Sequence, residues 1–180
     1  MDLEQLKAKF ASSGNESAVL ACVFKDPAQY YNVEHKLLEE DFLTPHHRAI
    51  YTIIRSLMRS DVIAIDSAAI LTQAAALNLE KNIGGFDYIN ALFDKSIDPN
   101  NIDFYIERVV DASTKIRVML ASDEIVELTD KNRVLTESTL PAKDLVDYAQ
   151  SKFLQIAMDG QRGTDAVNMS EGLDELIAEA

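Results

Sequence analysis

The chain has 180 residues, of which 47% are hydrophobic and 26% charged, a composition typical of a globular protein with a packed core. Its formal net charge of −13 argues against direct binding to nucleic acid, because nucleic-acid-binding proteins present a basic surface to the phosphates. The single cysteine, Cys22, excludes an internal disulfide bond, and no apolar run approaches the length of a membrane span.

The N-terminal segment predicts a buried helix. Residues 1–12 are rich in charge, and we expect them to form a flexible N-terminus without a secretory signal, which favours a cytoplasmic protein. Ser13 and Glu16 have the spacing of a capping box, with Ser13 as the N-cap. The apolar run after Glu16 predicts a helix that ends near Phe24.

Three further signals divide the rest of the first hundred residues into helices. Thr44 followed by Pro45 is typical of a helix N-terminus, because proline at the first turn needs no N–H partner. Asp66 is a suitable N-cap for an alanine-rich helix that ends near Leu77. Gly84 and Gly85 break the chain, and residues 86–93 then predict a short helix. Residues 13–110 are therefore predicted to form a compact helical head.

The second half of the chain predicts a helical hairpin over residues 111–158. The longest helical stretch begins at Asp98 and Pro99 and continues to about Lys131 without a further proline or a glycine, and it would be about 45 Å long at 1.5 Å per residue. Pro141 opens a second helix. A two-helix hairpin cannot cover its own apolar stripe, so we expect it to pair with another copy. The residues expected at this subunit interface are Ile116, Met119, Leu120, Leu145, Tyr148 and Phe153.

Residues 159–180 have the composition of a linker with one short amphipathic helix. The apolar side of that helix consists of Leu173, Leu176 and Ile177. A helix this short is not stable alone, so we expect these three residues to dock on another domain. The pattern predicts a fragment of a longer protein.

The sequence predicts no catalytic, cofactor-binding or metal site. A phosphate-binding P-loop requires Gly-Lys followed by Ser or Thr, and the chain contains no Gly-Lys pair. None of the three histidines has a glutamate three residues before it, as helical metal sites built on Glu-x-x-His require. Cys22 lies in an apolar run without a basic neighbour and is interpreted as a buried core thiol.

Four segments, in order, resemble the N-terminal domain of DnaB-type replicative helicases. Residues 16–20 resemble the Glu-x-Ala-Val-Leu opening of that family, and residues 41–51 resemble its Asp-Phe-Tyr-x-x-x-His-Arg-x-Ile-Phe segment. Residues 84–89 are similar to Gly-Gly-x-x-Tyr-Leu, and residues 101–110 to Asn-Ile-x-x-Tyr-x-x-x-Val. The positions that carry the resemblance are Glu16, Asp41, Phe42, His47, Gly84, Gly85, Asn101 and Tyr105.

This resemblance implies an all-α fold with a globular head, a helical hairpin and a linker helix. It further implies the collar of a hexameric helicase ring, built as a trimer of dimers, which binds the C-terminal domain of primase and engages a helicase loader. ATP, magnesium and DNA would then belong to the full-length protein. Two alternatives stay open: a primase C-terminal domain, which resembles this fold, and a generic helical adaptor.

Overall fold

We describe the protein from a computed structural model, which defines residues 12–60, 64–134 and 141–160. All regular structure in these ranges is helical, which confirms the predicted all-α fold. The α-helices are α1 (Ser13–Lys25), α2 (Gln29–Lys36), α3 (Pro45–Met58), α4 (Ser67–Ala76), α5 (Phe86–Phe93), α6 (Ile102–Val134) and α7 (Ala142–Gly160). Short 3₁₀ helices cover Glu39–Asp41, Glu80–Asn82 and Pro99–Asn101. Within these ranges no helix combines the length and apolar character that a membrane crossing requires.

The chain divides into two compact units, and the boundary lies between Ser113 and Thr114, inside α6. The first unit is a head whose core is centred on α1. All nine residues from Glu16 to Phe24 are buried, since this helix is apolar on every side and is surrounded by other helices. Aliphatic side chains from α3, such as Ile50 and Ile54, complete the same core.

Several predicted helix ends are confirmed. The helix after Thr44 begins at Pro45, and the short helix over residues 86–93 has the predicted bounds. Asp66 caps α4 through its side chain, which accepts a hydrogen bond from the Ala69 N–H at 2.7 Å. The sequence also predicts an extended segment over residues 61–65, of which residues 61–63 lie outside the described residues.

The predicted capping box at the start of α1 is wrong. Ser12 is the N-cap, and Ser13 is already the first residue of the helix. The Glu16 side chain turns away from the N-terminus and points into the head. Three hydrogen-bond donors converge on its carboxylate there, and together they bind it more strongly than a single backbone N–H at the helix start would.

Candidate interaction surface

The most polar feature of the head core is a buried chain of hydrogen bonds from Glu16 through His47 to Tyr88. Nδ1 of His47 lies 2.8 Å from Oε2 of Glu16, and both side chains are almost completely buried. The other His47 nitrogen, Nε2, is hydrogen-bonded to the Tyr88 hydroxyl. The backbone N–H groups of Leu43 and Thr44 also donate to the Glu16 carboxylate, at 3.3 and 3.1 Å. This network joins α1, α3 and α5.

A carboxylate, a histidine and a hydroxyl in series also occur in catalytic triads, but the electrostatics here argue against an activated nucleophile. Burial and the nearby Glu16 charge raise the pKa of Tyr88, so its phenol holds its proton more firmly than usual. Burial opposes ionisation of Glu16, yet hydrogen bonds from His47 and Thr44 outweigh that effect and hold the pKa of Glu16 below its ordinary value. We therefore interpret the network as structural.

The other residues that carry the resemblance also lie in the head. Asp41 is buried, and its carboxylate accepts hydrogen bonds from the Ser113 hydroxyl at 2.6 Å and the Leu38 N–H at 2.8 Å. Phe42 is buried and stacks on Tyr51, with 4.7 Å between ring centroids. The remaining positions are turn or rim residues: Gly84 and Gly85 have φ of 78° and 87°, Asn101 ends a 3₁₀ helix, and Tyr105 packs against the core.

Gly84 is required at its position for two reasons. Its positive φ disfavours any residue with a Cβ. A Cβ built on Gly84 would also lie 3.0 Å from the Tyr88 ring, which is tighter than normal contact. Gly84 therefore allows the turn to pass close to the tyrosine that ends the buried network.

A cleft of about 430 Å³ lies beside α3, and four of the five charged side chains that line it form ion pairs with each other. Arg55 is 2.5 Å from a Glu39 carboxylate oxygen, and Arg59 is 3.7 Å from Glu34. Among the described residues, no group of three or more histidine, cysteine, aspartate or glutamate side chains is placed to hold a metal ion. Burial, reinforced by the nearby Asp98, raises the pKa of Cys22 to about 11, so this thiol stays protonated at neutral pH.

The second unit presents a different kind of surface. The part of α6 after Ser113 and the antiparallel α7 are joined by polar contacts along one edge. Arg117 and Asp159 are 3.5 Å apart. Glu124 is hydrogen-bonded to the Tyr148 hydroxyl and lies 3.1 Å from Nζ of Lys152. We call this side of the hairpin the polar edge.

The opposite side of the hairpin is mostly apolar, and its one charged neighbour among the described residues of α6 is Lys115, seven residues before Ser122. At 3.6 residues per turn, the side chains that point away from the polar edge come together there from both helices. They are Val118, Ser122 and Ile125 from α6 and Val146, Phe153 and Ala157 from α7, and we call this set the uncharged face. Val146 is 54% exposed and Phe153 40% exposed. An exposed apolar patch of this kind typically marks an interaction site.

The residues expected at the subunit interface are distributed over several sides of the hairpin. Ile116 is buried within the chain itself, and Met119, Leu145 and Tyr148 are half-buried. Phe153 is part of the uncharged face, whereas Leu120, one turn before Glu124, lies on the polar edge. Sequence reasoning missed Val146, Leu154 and Met158, although all three are more than half exposed. Leu173, Leu176 and Ile177 lie outside the described residues.

The comparisons with known proteins agree with the resemblance seen in the sequence. The family model described as "DnaB-like helicase N terminal domain" matches residues 9–111, more than half of the chain. The crystal structure of the N-terminal domain of DnaB helicase from Mycobacterium tuberculosis matches with a TM-score of 0.68 at 21% identity. That match covers 78% of this chain and 94% of the other, and it shows a shared fold.

Two curated relatives carry the name "Replicative DNA helicase DnaB". The protein from Pasteurella multocida (strain Pm70) is 25% identical over 142 residues, which are 79% of this chain and 29% of the relative. The protein from Geobacillus stearothermophilus is 28% identical over 113 residues, 62% of this chain and 24% of the relative. The chain thus spans less than a third of the length of either relative.

Proposed function

The chain belongs to the family of DnaB-like helicase N-terminal domains, and we propose that it forms the non-catalytic collar region of a hexameric replicative helicase. In this role the head and hairpin would pair subunits and bind primase, and possibly a helicase loader, during DNA replication. ATP, magnesium and DNA would be bound by the remainder of the full-length protein. The family match favours this role over a primase domain or a generic helical adaptor.

The exposed uncharged face of the hairpin carries the proposal of subunit pairing. Val146 and Phe153 keep much of their surface in contact with water in the single chain. Transfer of such apolar surface to a protein interface is favourable by about 25 cal/mol per Å². A partner that covers both helices would therefore gain more from this face than from the polar edge.

Electrostatics indicate where a second copy of the chain would dock. Each copy carries a formal charge of −13, so two copies repel each other over most of their surface. The uncharged face is a region where two copies can approach without placing like charges opposite each other. A two-fold axis would then bring the same side chains together from both copies.

Light scattering after size-exclusion chromatography tests this pairing. We expect the 180-residue chain to be a dimer or larger at micromolar concentration, and Phe153→Glu to be a monomer with a helical head. Gln155→Glu is the matched control, because it adds the same charge two residues away on the polar edge and should leave the mass unchanged. Leu120→Glu, which adds a charge on the polar edge, should dissociate the dimer less than Phe153→Glu does. A monomeric unsubstituted chain would contradict the proposal.

Primase binding is supported by the family membership and needs its own experiment. We expect the immobilised chain to retain the C-terminal helical domain of the cognate primase. The same capture experiment with the Phe153→Glu variant tests whether primase binding requires the paired hairpin or only the head. Failure of the unsubstituted chain to retain the primase domain at micromolar concentrations would remove this part of the proposal and leave the pairing proposal in place.

A further inference from the structure

We propose that α7 is a stable helix only when a second copy covers it, so that folding of the hairpin and pairing of subunits are one coupled step. This inference rests on the proposed subunit pairing and concerns its regulation. Pairing would then not join two hairpins that are already folded, because each hairpin would fold only as the subunits pair.

The burial pattern of α7 is the first observation. None of its 19 residues is buried, although it is the second longest helix of the described chain. In α1, by contrast, nine consecutive residues are buried. Leu154 and Met158 of α7 are 62% and 65% exposed, and Phe153 is 40% exposed. In a single copy, α7 therefore has only a half-buried apolar stripe, formed by Leu145, Ala149 and Ile156, where most protein helices have a buried apolar face.

The contacts between α6 and α7 are the second observation. Lys152 and Glu124 form an ion pair whose side chains are 38% and 47% exposed, and exposed ion pairs add little stability. The pair between Arg117 and Asp159 is long, at 3.5 Å. Among the described residues beyond the unit boundary, Ile116 and Ala121 of α6 are the fully buried hydrophobic residues. These contacts define the register of the two helices and provide little core.

An uncovered α7 is consequently close to the limit of helix stability. Most helical stability in proteins comes from tertiary packing of an apolar face, and α7 has no fully buried residue in a single copy. The head does not share this weakness, because its helices surround a continuous core. We therefore expect the hairpin to lose α7 on dissociation while the head stays folded.

Hydrogen–deuterium exchange of the 180-residue chain tests the coupling. Amide protection of residues 142–160 would be followed through a dilution series in which light scattering reports dissociation. We expect protection of α7 to fall about tenfold or more as dimers dissociate, with protection of α1 unchanged. Phe153→Glu should show the unprotected pattern at every concentration, and Gln155→Glu should behave like the unsubstituted chain.

The outcomes separate this inference from the proposed function. If dissociated chains keep the same α7 protection as dimers, the coupling is refuted and the pairing stands. If the unsubstituted chain is a monomer at all concentrations, both the coupling and the pairing are refuted. Loss of α7 protection in step with dissociation, and in Phe153→Glu, supports both.

Discussion

Replacing Glu16 by glutamine tests the buried network of the head most directly. The substitution keeps the size of the side chain, so it creates no cavity. It replaces a carboxylate oxygen, an acceptor, with an NH₂ group, a donor. Three donors converge on this side chain, from His47, Leu43 and Thr44, and the glutamine leaves at least one of them facing another donor.

The expected cost is about 3 kcal/mol of unfolding free energy. Hydrogen bonds to a charged group contribute about 1.5–3 kcal/mol each, and a buried group left without a partner costs about 1–3 kcal/mol. A typical domain has only about 5–15 kcal/mol of stability, so the loss is a substantial fraction of the total. Asp103→Asn is the matched control: Asp103 is 60% exposed in its ion pair with Lys36, and we expect a loss below about 1 kcal/mol.

Urea unfolding followed by circular dichroism measures this difference. All variants would carry Phe153→Glu, so that association does not contribute to the apparent stability. A loss below about 1 kcal/mol for Glu16→Gln would refute the view that this network stabilises the head.

The pH dependence of the same measurement provides a second check. The pKa of Glu16 is lower in the folded chain than in the unfolded chain. Its stabilising effect is therefore complete above the unfolded pKa and is lost as the pH falls through the folded pKa. We expect the stability difference between the parent chain and Glu16→Gln to be constant near neutral pH and to shrink on acidification. A difference that grows at low pH would contradict the assigned direction.

Three further substitutions probe the head by thermal unfolding. Gly84→Ala should lower stability by about 2 kcal/mol or more, because the φ of Gly84 is 78° and the new Cβ would press on the Tyr88 ring. Gly14→Ala is the matched control: Gly14 lies in α1 with open space around it, so the substitution should stabilise the chain by up to about 1 kcal/mol. Ser113→Ala removes the hydroxyl that donates to the buried Asp41 and should cost about 1–2 kcal/mol, so an unchanged melting temperature would contradict a structural role for this bond.

Much of the fold could be predicted because the relevant signals are local. A helix start depends on a few adjacent residues, so Pro45 and the Asp66 cap were identifiable without tertiary information. The break at Gly84 is equally local, since positive φ favours glycine. The resemblance added the family, which the match to residues 9–111 confirms.

The candidate surface could be predicted only in part. Helical periodicity placed Phe153 on an apolar stripe, but periodicity does not reveal which side of a helix its neighbour covers. The contacts from Glu124 to Tyr148 and Lys152 decide that, and they place the Leu120 stripe on the polar edge. Side chains such as Val146 were missed because nothing in their local sequence distinguishes an exposed apolar residue from a buried one.

The sequence by itself determined the helices and the chain breaks, because helical periodicity and backbone conformation depend on near neighbours, and it predicted a partner for the hairpin. The tertiary structure decided the role of Glu16, whose spacing with Ser13 is that of a capping box but whose carboxylate binds His47, 31 residues away. It also decided which face of the hairpin stays in water. Hydrogen bonds and packing between distant segments depend on how the helices are arranged, and a local sequence pattern does not determine that arrangement.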